Sequence, residues 1–251
     1  MRALLYREFI RLSRQKGRLF GAFLTPLMIW FFLGLGFEDS FVLNNNSDIN
    51  YFEYFFPGMI LMTLMFSAIF SMISFIEDRN SGFLQSVWVS PVASVSIVLA
   101  KILSCSIFAF VQSLILLLCA FFFKLNFSFS NFLEISFILF LSSMLMSSIG
   151  FLLAWFSDST QTFHVWMNII LMPMWLFSGA LFTFDKVPMW MTFLYKVNPL
   201  SYSLAAMRWS MSIGQPLNMN IPSLGISNLL VMILTVVFVS AGVFVLNQKR
   251  N

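Results

Sequence analysis

Ionisable side chains are scarce in this chain. Only 10% of its 251 residues are Asp, Glu, Lys or Arg, against 59% hydrophobic and 18% aromatic. Too few polar groups remain to cover a water-soluble globule, which excludes a soluble domain and indicates an integral membrane protein. Histidine is nearly absent: His164 stands alone, so no second histidine is available for a metal centre, and a Ser/His/Asp hydrolase is hard to assemble. His164 itself is expected to be an interfacial side chain. The two cysteines, Cys105 and Cys119, fall 14 residues apart in one apolar run. At 1.5 Å per residue that is about 21 Å along a helix, far beyond disulfide reach. No Gly-x-x-x-x-Gly-Lys-Ser/Thr phosphate loop occurs and no segment is suited to a soluble nucleotide domain, so ATP is not bound by that route.

What the chain does have is long runs without charge. A transmembrane helix needs roughly 20 mostly apolar residues to cross a hydrocarbon core of about 30 Å. Six runs approach that size: 19–37, 55–76, 102–123, 135–157, 163–184 and 225–246. The predicted fold is therefore an all-α integral membrane protein, with residues 1–251 forming a single transmembrane domain. No Asp, Glu, Lys or Arg lies near the middle of any run; Lys101, Asp158 and His164 map to run ends. Ion-coupled carriers and pumps usually hold an ionisable group inside the membrane. Any uphill transport by this chain must therefore draw its energy from outside the spans.

Lysine and arginine set the orientation. Residues 1–18 hold Arg2, Arg7, Arg11, Arg14, Lys16 and Arg18 against Glu8 alone, whereas the next loop holds Glu38, Asp39, Asp48 and Glu53 without a base. The positive-inside rule then places the N-terminus in the cytoplasm. Six spans return the C-terminus, with Lys249 and Arg250, to the same side. At about 100° per residue Arg7, Arg11, Arg14 and Arg18 form one stripe, opposite Leu5, Tyr6, Phe9, Ile10 and Leu12. This pattern predicts an amphipathic interfacial helix over 1–18, with its arginines toward anionic membrane lipid. The alternative is a basic topogenic segment that frays. The basic residues are assigned to lipid, and no nucleic-acid partner is expected.

Residues 75–91, FIEDRNSGFLQSVWVSP, gather charge, glycine and proline in one place. Glu77, Asp78 and Arg79 mark where the second span leaves the membrane; Asn80, Ser81 and Gly82 supply turn chemistry, and Pro91 ends any helix begun after that turn. Between them a helix of about two turns can form, on which Phe83 with Val87, and Leu84 with Trp88, are i,i+4 pairs. Such an apolar face on a cytoplasmic loop either docks a partner or packs on headgroups or on the protein's own base.

In this topology residues 185–224 lie outside, cut by Pro188, Pro199, Pro216 and Pro222 into pieces too short to cross. Two arrangements fit. Short helices can dip into the outer leaflet if protein satisfies their broken backbone ends, or surface helices can be anchored at the headgroups by Trp190, Tyr195 and Tyr202. At the junction Pro199 holds Asn198 extended, and the asparagine side chain can bond backbone groups freed by the break. Arg208 is expected either to reach the outer headgroups or to pair with an acid such as Asp185.

The run from Glu77 to Pro91 resembles the E-x-R-x-x-G-[FT]-L-x-x-[LV]-x-x-[ST]-P segment of type 2 ATP-binding-cassette (ABC) permeases, the membrane subunits of many bacterial exporters. A second series is similar to that family's S-G-x-x-F, P-x-W, N-P-L-[ST]-Y and arginine series, with compatible gaps. It comprises Ser178-Gly179-Ala180-Leu181-Phe182, Pro188-Met189-Trp190, Asn198-Pro199-Leu200-Ser201-Tyr202 and Arg208. The resemblance implies six transmembrane helices, with residues 79–91 as a cytoplasmic coupling helix that docks on a separate ATPase subunit through Glu77, Asp78, Arg79, Gly82, Phe83, Leu84, Val87, Trp88 and Pro91. It implies a re-entrant helix pair over 185–224 whose gate is formed by Gly179, Pro188, Trp190, Asn198, Pro199, Tyr202 and Arg208. It also implies a second permease protomer, identical or not, in a bacterial cytoplasmic (inner) membrane. The chain would bind no cofactor itself, ATP and Mg being held by the partner ATPase, and would have no catalytic site. Export of an amphiphilic or lipid-like substrate (drug, lipid or glycan) is the expected function. An intramembrane lipid-modifying enzyme and a non-transporting scaffold are the alternatives, and a neighbouring ATPase gene separates them from the first reading.

Overall fold

A computed structural model describes residues 2–37, 51–89, 92–120, 128–181, 188–211 and 223–250, except for the side chains at positions 2, 3, 16, 18, 19, 87–89, 249 and 250. Of the predicted site residues, Pro91 and the side chains of Arg18, Val87 and Trp88 lie outside this description, as does Asp185. The elements are all helices: α1 (Arg2–Arg14), α2 (Lys16–Phe37), α3 (Tyr51–Asn80), α4 (Phe83–Val89), α5 (Ser94–Cys119), α6 (Phe129–Phe156), α7 (Thr160–Leu176), α8 (Met189–Val197), α9 (Pro199–Met211) and α10 (Leu224–Arg250). Five of them are long and apolar enough to cross a membrane: α2 from Phe20, α3, α5, α6 and α10 up to Gln248. The chain is thus a multi-pass membrane protein.

The run expected to span 163–184 is shorter as a helix. Ser159 caps its start, its hydroxyl accepting the Thr162 N–H at 3.1 Å, and the helix ends after 17 residues at Leu176. Two local features end it. Pro173 removes one amide donor from the last turn, and Gly179 takes φ +88°, a left-handed conformation that turns the chain back beneath α3. Hydrophobicity continues past this point, so a composition window cannot detect the break.

α3 is the axis of the bundle. Its 30 residues reach about 45 Å at 1.5 Å per residue, longer than the apolar core of a membrane. Side chains on every side of it, from Phe55 and Phe56 to Phe75 and Ile76, are buried against α2, α5, α6, α7 and α9. Close approach is made possible by small residues. A Cβ on Gly150 of α6 would sit 3.2 Å from Ile69 and Met72 of α3, and one on Gly58 would sit 2.7 Å from Ala180. In lipid, where tails are as apolar as leucine, such packing holds helices together, aided by hydrogen bonds between them. The Ser106 hydroxyl of α5 makes both kinds of contact, donating to Ile102 O at 2.7 Å within its helix and lying 3.3 Å from Ser143 O of α6. α2 and α10 sit at the edge and leave Phe20, Phe31, Phe32, Ile226, Leu229 and Val236 exposed.

Candidate functional site: a charged base and a broken-helix cap

At the end of α3 that carries Glu77, Asp78 and Arg79, charge concentrates in a way the apolar bundle shows nowhere else among the described residues. Three carboxylates, Glu8, Glu77 and Asp78, meet three cations, Arg7, Arg11 and Lys101. Lys101 Nζ, on α5, lies 2.6 Å from Glu8 of α1 and 3.1 Å from Asp78 of α3. Arg7 donates to Asp78 at 2.8 Å and to Glu8 at 2.7 Å, and Arg11 donates to Asp78 and, at 2.8 Å, to Glu77. Glu8, Asp78 and Lys101 are almost fully buried, at 4%, 3% and 5% exposure. Burial opposes the charge on Arg7, but the hydrogen bond and charge of Asp78, with Glu8, outweigh it and raise the guanidinium pKa above its ordinary value.

This arrangement changes the reading of the arginine stripe. Arg7 and Arg11 are turned to carboxylates of the bundle, and α1 packs along α5, with Phe9 and Phe108 ring centroids 5.0 Å apart. Arg14 remains exposed. Arg79 points elsewhere: its guanidinium donates to Trp155 O at 3.1 Å and to Ser157 O, satisfying the last carbonyls of α6 and complementing the negative end of that helix.

The turn from α3 into α4 is closed by Ser81 N–H on Glu77 O at 2.9 Å and Gly82 N–H on Arg79 O at 3.2 Å, with Gly82 at φ +75°. Any side chain there is strained because the left-handed region crowds a Cβ. Gly82→Val is expected to destabilise the turn by about 1–2 kcal/mol and to displace α4; a Gly82→Asn variant, tolerating this region better, should lose less, as read by thermal unfolding in detergent. Of the apolar face expected on α4, Leu84 is 4% exposed and points into the bundle base beside Phe75 and Ile97, while Phe83 is half-buried with Arg7 Cζ 3.5 Å from its ring centroid. Of the two uses left open for that face, Leu84 takes packing on the protein's own base. Among the described side chains of α4, Gln85 and Ser86 are exposed.

The opposite end of the bundle is built around a broken helix pair. α8 and α9, of 9 and 13 residues, span about 14 and 20 Å, each too short to cross. They meet at Asn198, whose backbone is extended at φ −78°, ψ 117°. Its N–H bonds Leu194 O at 3.1 Å, its side-chain amide donates to Met174 O of α7, and its Oδ1 accepts the Leu200 N–H at 3.0 Å. One side chain therefore joins the end of α8, the start of α9 and the last turn of α7. Pro199 occupies the first position of α9, where a missing N–H costs nothing. The Tyr202 hydroxyl donates to Lys196 O, clamping the same corner.

Arg208 turns inward. It donates to Gly179 O at 2.9 Å, and its guanidinium lies 4.0 Å from the Tyr54 ring centroid, a cation–π arrangement. Tyr54 and Tyr51 reach Gly179 O and Leu181 O, and the Trp175 indole donates to Gly58 O at 3.1 Å. The cap is thereby attached to the far end of α3. α9 is mostly buried, with Trp209 exposed, whereas α8 buries only Tyr195, whose hydroxyl burial, partly opposed by Arg208, pushes up to about 12. Pro188 and Trp190 are exposed at the start of α8, Trp190 edge-on to Phe177 at 6.1 Å. Between α7 and the α8–α9 corner lies an apolar cleft of about 460 Å³ lined by Pro173, Phe177, Val197 and Pro199.

Sequence reasoning missed Glu8 and Lys101. Their signals were present but isolated: a lone acid in a basic helix, and a lysine immediately before an apolar run.

Comparison with known families fits this geometry. The ABC-2 type transporter family matches residues 1–212, and the chain belongs to that family. Its members are membrane permeases that generally pair with an ABC ATPase, and the membership makes this chain a transporter permease and suggests a non-catalytic transmembrane subunit. Among curated proteins it is similar to a protein of Cyanophora paradoxa named as a transport permease, ycf38, with 27% identity over 208 residues covering 82% of this chain and 72% of that one.

Proposed function

We propose that the chain is the transmembrane subunit of an ABC exporter, that α4 is the coupling helix on which a separate ATPase subunit docks, and that two such protomers enclose the path of an amphiphilic or lipid-like substrate. The single observation that carries this is the seating of α4: a short helix outside the apolar bundle, hinged at Gly82, wedged by Leu84 and presenting Gln85 and Ser86 outward. Force applied there meets the charged base of α3, and α3 runs as one continuous helix to Tyr54 and Gly58 beneath the cap. On this reading ATPase closure, with ATP and Mg held by the partner, tilts α3, and α8, α9 and Asn198 act as a re-entrant outer gate. On this reading the charged base faces the cytoplasm of a bacterial cell, an orientation that the excess of lysine and arginine in residues 1–18 supports. A cleft of about 470 Å³ between α2, α3 and α7, lined by Gly21, Thr25, Phe70, Glu77 and His164, fits one half of a path that a second protomer completes.

The test is assembly. The chain co-expressed with candidate ABC ATPase subunits should retain one of them through purification in lipid nanodiscs and stimulate its ATP hydrolysis. Ser86→Arg, at an exposed position that bears no packing, should abolish that association while leaving the permease inserted and monodisperse. Native association and stimulation in the Ser86→Arg protein would refute α4 as the docking element. Mass spectrometry of small molecules retained by the native complex would identify the substrate class.

A further inference from the structure

The buried charges at the base do more than hold α1 in place. We infer that Glu8, Asp78 and Lys101 are positioning residues that lock α1, the end of α3 and the start of α5 into one rigid joint, so that displacement of α4 is transmitted to three helices rather than absorbed at the Gly82 hinge; this rests on the docking role proposed for α4.

Three observations carry it. Lys101 Nζ is shared between carboxylates on two other helices, Glu8 and Asp78, so neither helix can slide past α5 without breaking an ion pair in a site closed to water. Asp78 is shared in turn by Arg7, Arg11 and Lys101, which makes it the common anchor of α1 and α5 on α3. The joint also includes α4 directly: Arg7, bonded to Asp78, covers the Phe83 ring, and Leu84 packs beside Phe75 and Ile97 with only about 20 Å³ of free space around them. Flexing Gly82 would therefore strip Phe83 from Arg7 and pull Leu84 out of its seat.

The physical contrast is with apolar packing. Methylene surfaces tolerate sliding because dispersion is nondirectional. Buried charges with shared, directional hydrogen bonds resist it, since each displacement leaves an uncompensated charge in low dielectric. Such pairs are weak evidence for stability, because well-packed apolar replacements are often as stable. Their use here is positional. Arg7, at 36% side-chain exposure, and Arg11, at 25%, line the water-facing rim, whereas Lys101 and Glu8, at 6% each, form the dry interior.

The experiment separates position from stability. Spin labels at exposed Ser13 of α1 and Gln85 of α4 report the width of the α1–α4 distance distribution in full-length protein in nanodiscs. In the native background one narrow distribution is expected. Glu8→Met combined with Lys101→Met removes two of the three buried charges while keeping volume, leaves Asp78 paired with Arg7 and Arg11, and should broaden the distribution about twofold or more with little change in unfolding temperature. Lys101→Arg should keep it narrow. In complex with the ATPase, labels at exposed Met189 on the two protomers should change separation on trapping with Mg-ATP and vanadate. The double variant should lose that change while ATP hydrolysis stays within about twofold of native. A double variant that keeps the native width, or keeps the Met189 response, overturns the joint. Should the double variant not fold, Arg7→Leu, which removes the Phe83 stack at a half-exposed site, must still broaden the distribution, and an unchanged width overturns the joint equally. If the native chain recruits no ATPase, the docking proposal fails, and the α1–α4 width alone decides whether the joint exists.

Discussion

Asp78→Ala should cost the protein more stability than any other single charge removal at the base. The substitution leaves Arg7, Arg11 and Lys101 converging on an empty position, Arg11 with Glu77 alone and Arg7 and Lys101 sharing Glu8. Removing one partner from a buried ionic network costs on the order of 3–5 kcal/mol, because the surviving charges stay desolvated without compensation. Glu77→Ala is the control. That carboxylate is 34% exposed and holds Arg11 at 2.8 Å, the kind of partly solvated pair worth about 0–1 kcal/mol. The expected result is a large loss of the folded, monodisperse fraction on heating Asp78→Ala in detergent, with Glu77→Ala close to native. Equal behaviour of the two variants would show that burial at the base does not set the energetics.

The second large effect is expected at the opposite end. Asn198→Ala removes the donor to Met174 O and the acceptor of the Leu200 N–H at once, leaving one buried and one part-buried backbone group without that side chain. Each unsatisfied group costs about 1–3 kcal/mol, and the loss falls on the α8–α9 corner rather than on α3. Amide hydrogen exchange across residues 189–211 should accelerate by about tenfold or more, since roughly 1.4 kcal/mol corresponds to each factor of ten, while the middle of α3 remains protected. Adding Pro199→Ala should increase the effect by restoring conformational freedom to the residue before it. On the proposed function the double variant still binds its ATPase but transports poorly. Unchanged exchange at 189–211 would mean that Asn198 does not hold the corner.

Much of this arrangement was legible in the residues themselves. The runs at 19–37, 55–76, 102–123, 135–157 and 225–246 are matched by α2, α3, α5, α6 and α10, because run length against membrane thickness is a local property. The turn at Asn80–Gly82 and the break at Asn198–Pro199 were visible for the same reason: glycine and proline act on their own backbone and the next residue. The α7 terminus was not, since Leu176 to Leu181 stays apolar while Gly179 turns the chain.

Composition and local pattern by themselves determined that this protein lies in the membrane as a set of helices, approximately where five of them run, and that the chain turns at Asn80–Gly82 and breaks at Asn198–Pro199. They could not determine which helix is central. Membrane helices are apolar on every side, so periodicity does not distinguish a face against lipid from a face against protein; α3, buried all round, and α10, largely exposed, read alike in sequence. Only the tertiary structure decided that Leu84 faces inward, that Arg208 lies on Tyr54 and Gly179, and that Lys101 meets Glu8 from 93 residues away. Those pairings follow from the cost of an isolated charge in a low-dielectric interior. Each buried cation must find its acid, but which acid is within reach depends on how the helices pack.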